Sequence, residues 1–143
     1  MKRVDWIRVM AQAHEMGCRK LQFIGGEPFL DHENLFNLIV ASRNIGYEFV
    51  EVYTNATLLD DDKVSFLASN RVNVAVSVYG MNSDAHDRVT RTNNSFSRTI
   101  SNLRKMVSRG IQIRIGVIGM SINEEYINET ISFLRNDIGI KNI

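Results

Sequence analysis

Two patterns of hydrophobic positions alternate along the chain. Short, nearly continuous apolar runs predict strands buried on both faces, and longer stretches with apolar residues three or four apart predict helices with one buried face. The runs predict four strands, at residues 21–24, 48–53, 72–78 and 111–118. The spaced positions predict a helix at 3–16 and one after each strand, beginning near Asp31, Asp60, Ser95 and Ser121. Residues 140–143 have the pattern of a further strand that is just starting.

Residues that start and stop helices support these boundaries. Asp31, Asp60 and Ser95 are predicted N-caps, and the run from Ser121 to Glu124 has the form of a capping box. Glycines follow the predicted helices, as expected where a helix ends, at positions 17, 46, 110 and 139. The stretch 81–94 is polar and is predicted to be a loop.

The order of the elements predicts an α/β fold with a parallel sheet. Strands recur at roughly 25-residue intervals with a helix between them, which favours right-handed crossovers. Both an open doubly wound sheet and a TIM-type barrel satisfy this order, and both place a ligand site at the carboxyl ends of the strands, here called the rim. The chain starts at a helix and stops as a strand begins, so we expect a single domain, residues 1–143, truncated at both ends. The strand at 21–24 would then have a free edge, through which two copies could pair as a homodimer.

Composition narrows the class of protein further. With 143 residues, 44% of them hydrophobic, the chain can bury a core of its own. The net charge of +1 gives no reason to expect a nucleic acid or membrane partner. No apolar run has the length of a membrane span, and no signal sequence opens the chain, so we expect a cytoplasmic protein. The single cysteine, Cys18, cannot form an internal disulfide, and we expect no metal site in this chain.

The first candidate site is the run Gly25, Gly26, Glu27 and Pro28, directly after the first strand. Paired glycines let a ligand approach the backbone, because no Cβ stands in the way. Proline turns the chain and holds the carboxylate of Glu27 at the rim. Such a carboxylate suits an ammonium or hydroxyl partner. The alternative is an ordinary strand-to-helix turn with an exposed acid.

Three further stretches are predicted to reach the same rim. Thr54 and Asn55 follow the second strand, Ser77 lies in the third, and Ile118 ends the fourth. Together with Glu27 they predict a polar, largely uncharged ligand that carries an amine and a flat ring against Ile118. Each also has an ordinary explanation. Thr54 and Asn55 are common loop residues, the Ser77 hydroxyl could donate to a backbone carbonyl, and the glycines around Ile118 could mark a bulge.

The polar loop after the third strand adds a possible anion contact. Arg88 or Arg91 is predicted to fold over the rim and pair with a ligand carboxylate. His86 and Asp87 are adjacent, which is weak support for a general base, and a solvated loop with helix-capping acids is the alternative.

Taken together and in this order, these residues resemble the core of the radical S-adenosylmethionine (SAM) superfamily. Gly25 to Pro28 matches its GGEP motif, and Thr54–Asn55, Ser77, the segment from His86 to Arg91 and the strand ending at Ile118 follow at similar spacing. The branch most similar contains molybdenum-cofactor biosynthesis protein A and the peptide- and sulfatase-maturing enzymes.

The resemblance implies a partial (βα)6 barrel that holds SAM and a [4Fe–4S] cluster at its mouth and generates a 5′-deoxyadenosyl radical for hydrogen abstraction from a small molecule or peptide. It implies that Gly25, Gly26 and Glu27 bind the SAM amino group, and that Asn55 and Ser77 meet the ribose and carboxylate. Arg91 or Arg88 would pair with the carboxylate, and Ile118 would pack against adenine.

The chain departs from the family pattern in one respect. The family holds its cluster through three cysteines in a CxxxCxxC loop, and this sequence has no such loop. We therefore expect an internal, inactive segment of a longer radical SAM enzyme, with no cofactor bound to the segment itself. The alternatives are a non-catalytic α/β binding or assembly module derived from the same fold, and an unrelated barrel enzyme that binds phosphate, for which no clear phosphate loop is present.

Overall fold

The structure is a computed structural model that describes residues 2–143. Its strands are β1 (Lys20–Phe23), β2 (Phe49–Thr54), β3 (Asn73–Ser77) and β4 (Ile113–Gly116). Its α-helices are α1 (Arg3–Glu15), α2 (His32–Ile45), α3 (Asp61–Ser69), α4 (Ser83–Thr90), α5 (Ser95–Ser108) and α6 (Ile127–Asn136). Within residues 2–143, no helix has both the length and the apolar character needed to cross a membrane.

The four strands form one parallel sheet in the order β1-β2-β3-β4, so each strand pairs with the next one along the chain. The register places Leu21 beside Val50, and Val52 beside Val74. This arrangement confirms the predicted α/β class and the parallel sheet. Beyond β4, the amide of Ile115 donates to the carbonyl of Asn142 at 2.9 Å, which is the beginning of the strand predicted at 140–143.

The two faces of the sheet differ in chemistry. Val50, Val52, Val74 and Val76 are fully buried in the main hydrophobic core, to which the helices contribute their apolar faces. Because side chains alternate along a strand, the residues between these valines lie on the other face. There the carboxylate of Glu51 accepts hydrogen bonds from Gln22 on β1 and, at 2.8 Å, from Arg114 on β4. The second face is therefore polar.

The prediction of a loop at 81–94 is wrong, because helix α4 lies within this stretch. The side chain of Asn82 caps this helix by accepting a hydrogen bond from the amide of Ala85 at 2.9 Å. Gly80 lets the helix lie close to the end of β3, since a Cβ at this position would come within 2.4 Å of the Ala85 side chain. The helix is short and mostly polar, so the hydrophobic pattern gave no sign of it.

Two predicted helix starts also differ. Ser95 does not cap α5; its hydroxyl donates to the carboxylate of Asp87, which lies on α4. The capping box at Ser121 is absent, and α6 begins only at Ile127, after a short 3₁₀ turn. The fully buried side chain of Asn123 instead holds this segment, since its amide nitrogen donates to the carbonyls of Tyr79 and Ile118, each at 3.0 Å.

Other predicted boundaries are confirmed. Asp31 and Asp60 cap α2 and α3 through their side chains, which accept hydrogen bonds from backbone amides three residues on. Gly46 ends α2 with a φ of 108°, a left-handed conformation that glycine adopts without the strain a Cβ would cause.

Candidate functional site

The turn after β1 is built by two left-handed glycines. Gly25 has a φ of 118° and Gly26 a φ of 44°, and no atom lies within 4 Å of where a Cβ would be on either residue. Backbone conformation therefore accounts for the two glycines, and both also leave open space above the chain. Pro28 begins a 3₁₀ turn, for which Glu27 is the N-cap.

The carboxylate of Glu27 joins the ends of the first two strands. Its Oε1 accepts hydrogen bonds from the hydroxyl of Thr54 at 2.6 Å and from the amide of Phe29 at 3.2 Å. Its Oε2 accepts one from the amide of Asn55 at 2.8 Å. A carboxylate oxygen has two lone pairs, so Oε2 retains room for one further donor, such as an ammonium group.

A polar cavity of about 290 Å³ lies at the rim. It brings together four of the residues predicted from sequence, namely Gly26, Thr54, Asn55 and Ser77. Other lining residues are Tyr53, Thr57, Tyr79, His86, Thr90, Thr92, Ser95 and Thr99. Apart from a histidine, every lining side chain is uncharged at neutral pH, so the cavity suits hydroxyl, amide and ring groups better than a strong ionic charge.

Two side chains of α5 hold the loop after β2 through hydrogen bonds to its backbone. Thr99 donates its hydroxyl to the carbonyl of Asn55 at 2.9 Å, and Asn102 donates its amide to the carbonyl of Ala56 at 2.8 Å. The side-chain oxygen of Asn55 accepts hydrogen bonds from Thr57, at 2.8 Å from its amide and at 2.7 Å from its hydroxyl. Within residues 2–143 the side-chain nitrogen of Asn55 has no such partner, so its two N–H groups are free for a ligand.

Ser77 lies on the polar face of the sheet and shares a hydrogen bond of 2.6 Å with the hydroxyl of Tyr53. The guanidinium of Arg114 lies 5.9 Å from the centre of the Tyr53 ring. Gly116 lies opposite Ser77 in the register, and a Cβ there would be in ordinary contact with the Tyr53 oxygen, at 3.6 Å. The alternation of β2 could have identified Tyr53 as a neighbour of Ser77, but sequence analysis missed it.

Helix α4 supplies a buried histidine to the cavity wall. His86 is 2% exposed, and its Nδ1 accepts a hydrogen bond from the amide of Tyr79 at 3.2 Å. Burial lowers the pKa of His86, against the opposing effect of the Asp87 charge. The prediction of a solvated loop at this point is therefore wrong for His86, because the residue belongs to the inner face of a helix.

Six of the predicted site residues do not line this cavity, namely Gly25, Glu27, Pro28, Arg88, Arg91 and Ile118. Gly25 and Pro28 line a second, more apolar cleft of about 390 Å³ beside β1 and α1. Arg88 and Arg91 are both exposed, and Arg91 ends α4 with a left-handed φ of 53°. Their proposed contact with a ligand carboxylate stays a prediction.

Ile118 also lies outside the lining of the cavity, and it is 49% exposed. Its backbone is held by Asn123, while its side chain offers an apolar surface near the carboxyl end of β4. Packing of this side chain against a ligand ring remains a prediction.

The described residues do not fit an iron–sulfur cluster. Cys18 is the one cysteine of the sequence and is exposed. Within residues 2–143 there is also no group of three or more His, Cys, Asp or Glu side chains that could hold a metal ion. A [4Fe–4S] cluster requires several thiolates, so this set of side chains cannot bind one.

Comparison with known proteins agrees with this architecture. Two curated relatives are similar in sequence, each a probable GTP 3′,8-cyclase. The protein from Saccharolobus solfataricus is 24% identical over 146 residues, with all of this chain and 46% of the relative covered. The protein from Methanopyrus kandleri is 27% identical over 119 residues, with 82% of this chain and 38% of the relative covered. The chain thus spans less than half the length of these relatives.

Solved structures with the same fold include native anSMEcpe with bound AdoMet, with a TM-score of 0.80 and 19% identity over 96% of this chain and 40% of that one. The same protein with AdoMet and the Kp18Cys peptide gives a TM-score of 0.79. These likenesses confirm the predicted TIM-type parallel barrel fold. A sequence model of the Radical SAM superfamily matches residues 2–134 of the chain. The chain therefore belongs to the radical SAM superfamily, as its motifs and their order predicted.

Proposed function

We propose that this chain is the SAM-binding core segment of a radical SAM enzyme. In the intact parent, bound SAM and its [4Fe–4S] cluster would supply a 5′-deoxyadenosyl radical for hydrogen abstraction from a small molecule or peptide. The observation that carries the proposal is the polar cavity at the rim, which gathers Gly26, Asn55 and Ser77 from three separate units of the fold.

The chemistry of these residues fits the polar parts of SAM. The free lone pair on Glu27 Oε2 suits the amino group of the methionine moiety, next to the open backbone of Gly25 and Gly26. Asn55 has two free N–H donors, and Ser77 has a hydroxyl shared with Tyr53. These groups would meet the ribose and the carboxylate, Arg88 or Arg91 would approach that carboxylate from outside, and Ile118 would cover the adenine.

The two solved structures of anSMEcpe named above support SAM as the ligand, since both share the fold and contain bound AdoMet, which is SAM. The cluster does not fit the single cysteine of this chain, so electron transfer to SAM is not assigned to its residues. We propose that the parent supplies the cluster ligands from outside residues 1–143. The larger size of the curated relatives is consistent with such a parent.

The sheet itself supports the view that these residues are an internal segment of a (βα)6 barrel. Strand β1 pairs with β2 alone, so its outer edge is free within the described residues. An apolar cleft of about 390 Å³ also borders β1, and it is lined by Trp6, Met10 and Leu21 among others. In the parent we expect a parallel strand there.

The single cysteine favours one second candidate, a non-catalytic binding or assembly module that kept the fold and lost the cluster. The two candidates make opposite predictions for the parent gene product. Reconstituted with iron and sulfide and given a reductant, a radical enzyme releases 5′-deoxyadenosine from SAM, whereas the module releases none.

Ligand binding by the chain itself can be tested with two-dimensional NMR. We expect SAM to shift the backbone resonances of Gly26, Asn55 and Ser77. Asn55→Ala and Glu27→Gln should each raise the half-saturating SAM concentration by about fivefold, since each removes a hydrogen bond or a charge from the site.

Matched controls are available on α2, where Glu33 and Asn37 are exposed and do not line the cavity. Glu33→Gln and Asn37→Ala should leave the SAM titration unchanged. Circular dichroism would verify that all four variants are folded. Shifts that fall outside the rim, or equal effects in site and control variants, would contradict the proposed binding site.

A further inference from the structure

Helix α5 borders a cleft that has no part in the function proposed above, and it is here called the α5 cleft. Its volume is about 620 Å³, and its lining comes from α5, from Met81 after β3 and from Phe133 on α6. None of its lining residues lines the polar cavity at the rim. The two sites are therefore separate, and each can be altered without changing a residue of the other.

One part of the α5 cleft is apolar and lies below the protein surface. The rings of Phe96 and Phe133 are 6.1 Å apart between their centres, and both side chains are half-buried. Ile100, one helical turn after Phe96, is 6% exposed. Because these side chains are recessed, the cleft suits one inserted apolar side chain better than a flat apolar surface.

The other part of the α5 cleft is cationic. Arg104 follows Ile100 by one helical turn on the same face of α5, and Lys105 lines the cleft beside it. The Nζ of Lys105 is 3.3 Å from a carboxylate oxygen of Asp61. Arg104 is exposed and has no ion pair within residues 2–143, and no acidic side chain lines the cleft. The guanidinium of Arg104 is therefore free to pair with a carboxylate from outside.

The sequence concentrates positive charge in this part of the chain. Residues 88–123 include seven Lys and Arg residues and no Asp or Glu. The whole chain has a net charge of only +1, so the remainder of the chain is net acidic. Part of the positive charge is balanced within the fold, since Lys105 and Arg109 both lie near Asp61. A cationic region of this kind attracts an acidic partner and repels a basic one.

We propose that the α5 cleft binds an acidic helical segment of a partner protein. An apolar side chain of that segment lies against Phe96, Ile100 and Phe133, and an Asp or Glu one turn away pairs with Arg104. A bilayer fits less well, because Ile100 is too deeply set to enter it. Single-stranded nucleic acid stacks on exposed aromatic rings, and the two rings here are half-buried. The inference does not depend on SAM binding.

Fluorescence anisotropy with the full 143-residue chain tests the inference. The probe is a labelled, alanine-rich helical peptide that carries leucine and glutamate four residues apart. We expect a dissociation constant of about 100 μM or tighter. Replacement of the glutamates by lysine, or of the leucines by serine, should each weaken binding about tenfold. Raising the salt concentration should weaken it too, because exposed charges are screened.

Variants of the chain locate the binding surface. Arg104→Glu reverses the free charge and should weaken binding about tenfold, and Ser101→Trp should weaken it by filling the cleft from an exposed position. Arg135→Glu and Ser132→Trp are matched controls, since both residues are exposed on α6 and do not line the cleft. They should leave binding unchanged. Circular dichroism verifies that all four variants are folded.

The results separate the proposed partner from other occupants. No binding of the acidic peptide at about 1 mM, equal binding of the lysine peptide, or equal effects of Arg104→Glu and Arg135→Glu overturn the inference. Tighter binding of anionic vesicles or of a single-stranded oligonucleotide also overturns it. Loss of self-association in Arg104→Glu, measured by ultracentrifugation, assigns the cleft to a second copy of the chain instead. None of these results changes the SAM titration of Gly26 and Asn55, which tests the proposed function separately.

Discussion

At the level of single residues, the carboxylate of Glu27 has two tasks in the same place. Its hydrogen bonds to Thr54 and to the amide of Asn55 hold the ends of β1 and β2 at a fixed separation. One lone pair remains for a ligand. A residue placed by its neighbours in this way is ready for binding, because the ligand does not have to order it first.

Glu27→Gln should therefore weaken the fold as well as the binding of SAM. The amide keeps one acceptor oxygen but presents N–H groups where Oε1 or Oε2 accepted, so one of the Thr54 and Asn55 contacts is lost. We expect the free energy of unfolding, measured by urea denaturation at pH 7, to fall by about 1–3 kcal/mol. Glu33→Gln, at an exposed position on α2, should change it by less than about 0.5 kcal/mol. Equal stabilities of the two variants would show that the Glu27 contacts do not support the fold.

At the level of elements, the junction of α4 and α5 is organised by Asp87. Its carboxylate accepts hydrogen bonds from the amide of Asn94 at 2.8 Å, the hydroxyl of Ser95 at 2.8 Å and the amide of Phe96 at 2.7 Å. The acid therefore caps α5 from a neighbouring helix and directs the hydroxyls that reach Thr90. Partial burial alone raises the pKa of Asp87, but the hydrogen bonds from Phe96, Ser95 and Asn94 outweigh it and lower the pKa.

Asp87→Asn should destabilise the protein at neutral pH by about 1–3 kcal/mol, because an amide cannot accept all three hydrogen bonds. The pKa of Asp87 is lower in the folded state, so the stabilisation is complete above its unfolded value of about 4 and is lost as the pH falls through the folded value. The free energies of unfolding of Asp87→Asn and the unaltered protein, measured with urea, should thus become more alike as the pH falls from 5 to 3. Asp84→Asn, on the exposed side of α4, should change the free energy of unfolding little at any pH. If Asp87→Asn lowers this free energy by the same amount at every pH, the stabilising role of the Asp87 carboxylate is contradicted.

The elements also show what sequence alone could predict. The four strands and the helices with wide apolar faces follow from local hydrophobic spacing, which is why Asp31, Asp60 and Gly46 mark their observed ends. Helix α4 could not be found in this way, since few of its residues are apolar. The cap of α5 depends on a contact between residues eight positions apart in separate helices, and single-sequence patterns carry no signal of such a contact.

The same limit applies to the cavity. Gly26, Asn55 and Ser77 follow strands and could be placed at the rim by the topology of a parallel sheet. His86 and Thr90 belong to the helix that was not predicted, so their part of the wall was missed. The exposed positions of Arg88 and Arg91 follow from the same helix, whose outer side faces solvent.

At the level of the whole molecule, the sheet is covered by helices on one face and polar on the other, and β1 and β4 are its outer strands. The outer edge of β1 has no strand beside it within the described residues. Apolar side chains are exposed after β1, namely Ile24 at 65% and, in the 3₁₀ turn that follows, Leu30 at 76%. Free backbone groups next to apolar side chains favour pairing with another strand.

The isolated chain should therefore form a homodimer through β1. Analytical ultracentrifugation over a range of concentrations should show an average mass that rises toward that of two chains. Ile24→Lys should shift this association to higher concentration, because it places a charge beside the shared edge. Val40→Lys, at an exposed position on α2, is the matched control and should leave it unchanged. A mass that stays at that of one chain throughout would rule out this pairing.

The cavity has one more consequence, which concerns protein synthesis. All of its lining residues lie between Gly26 and Thr99, whereas β4 and α6 come later in the chain. During translation, the ribosome would thus release every group that lines the cavity before it has finished the last strand and helix. The cavity would then take its final shape only after synthesis of Asn123, whose side chain donates a hydrogen bond to the carbonyl of the lining residue Tyr79.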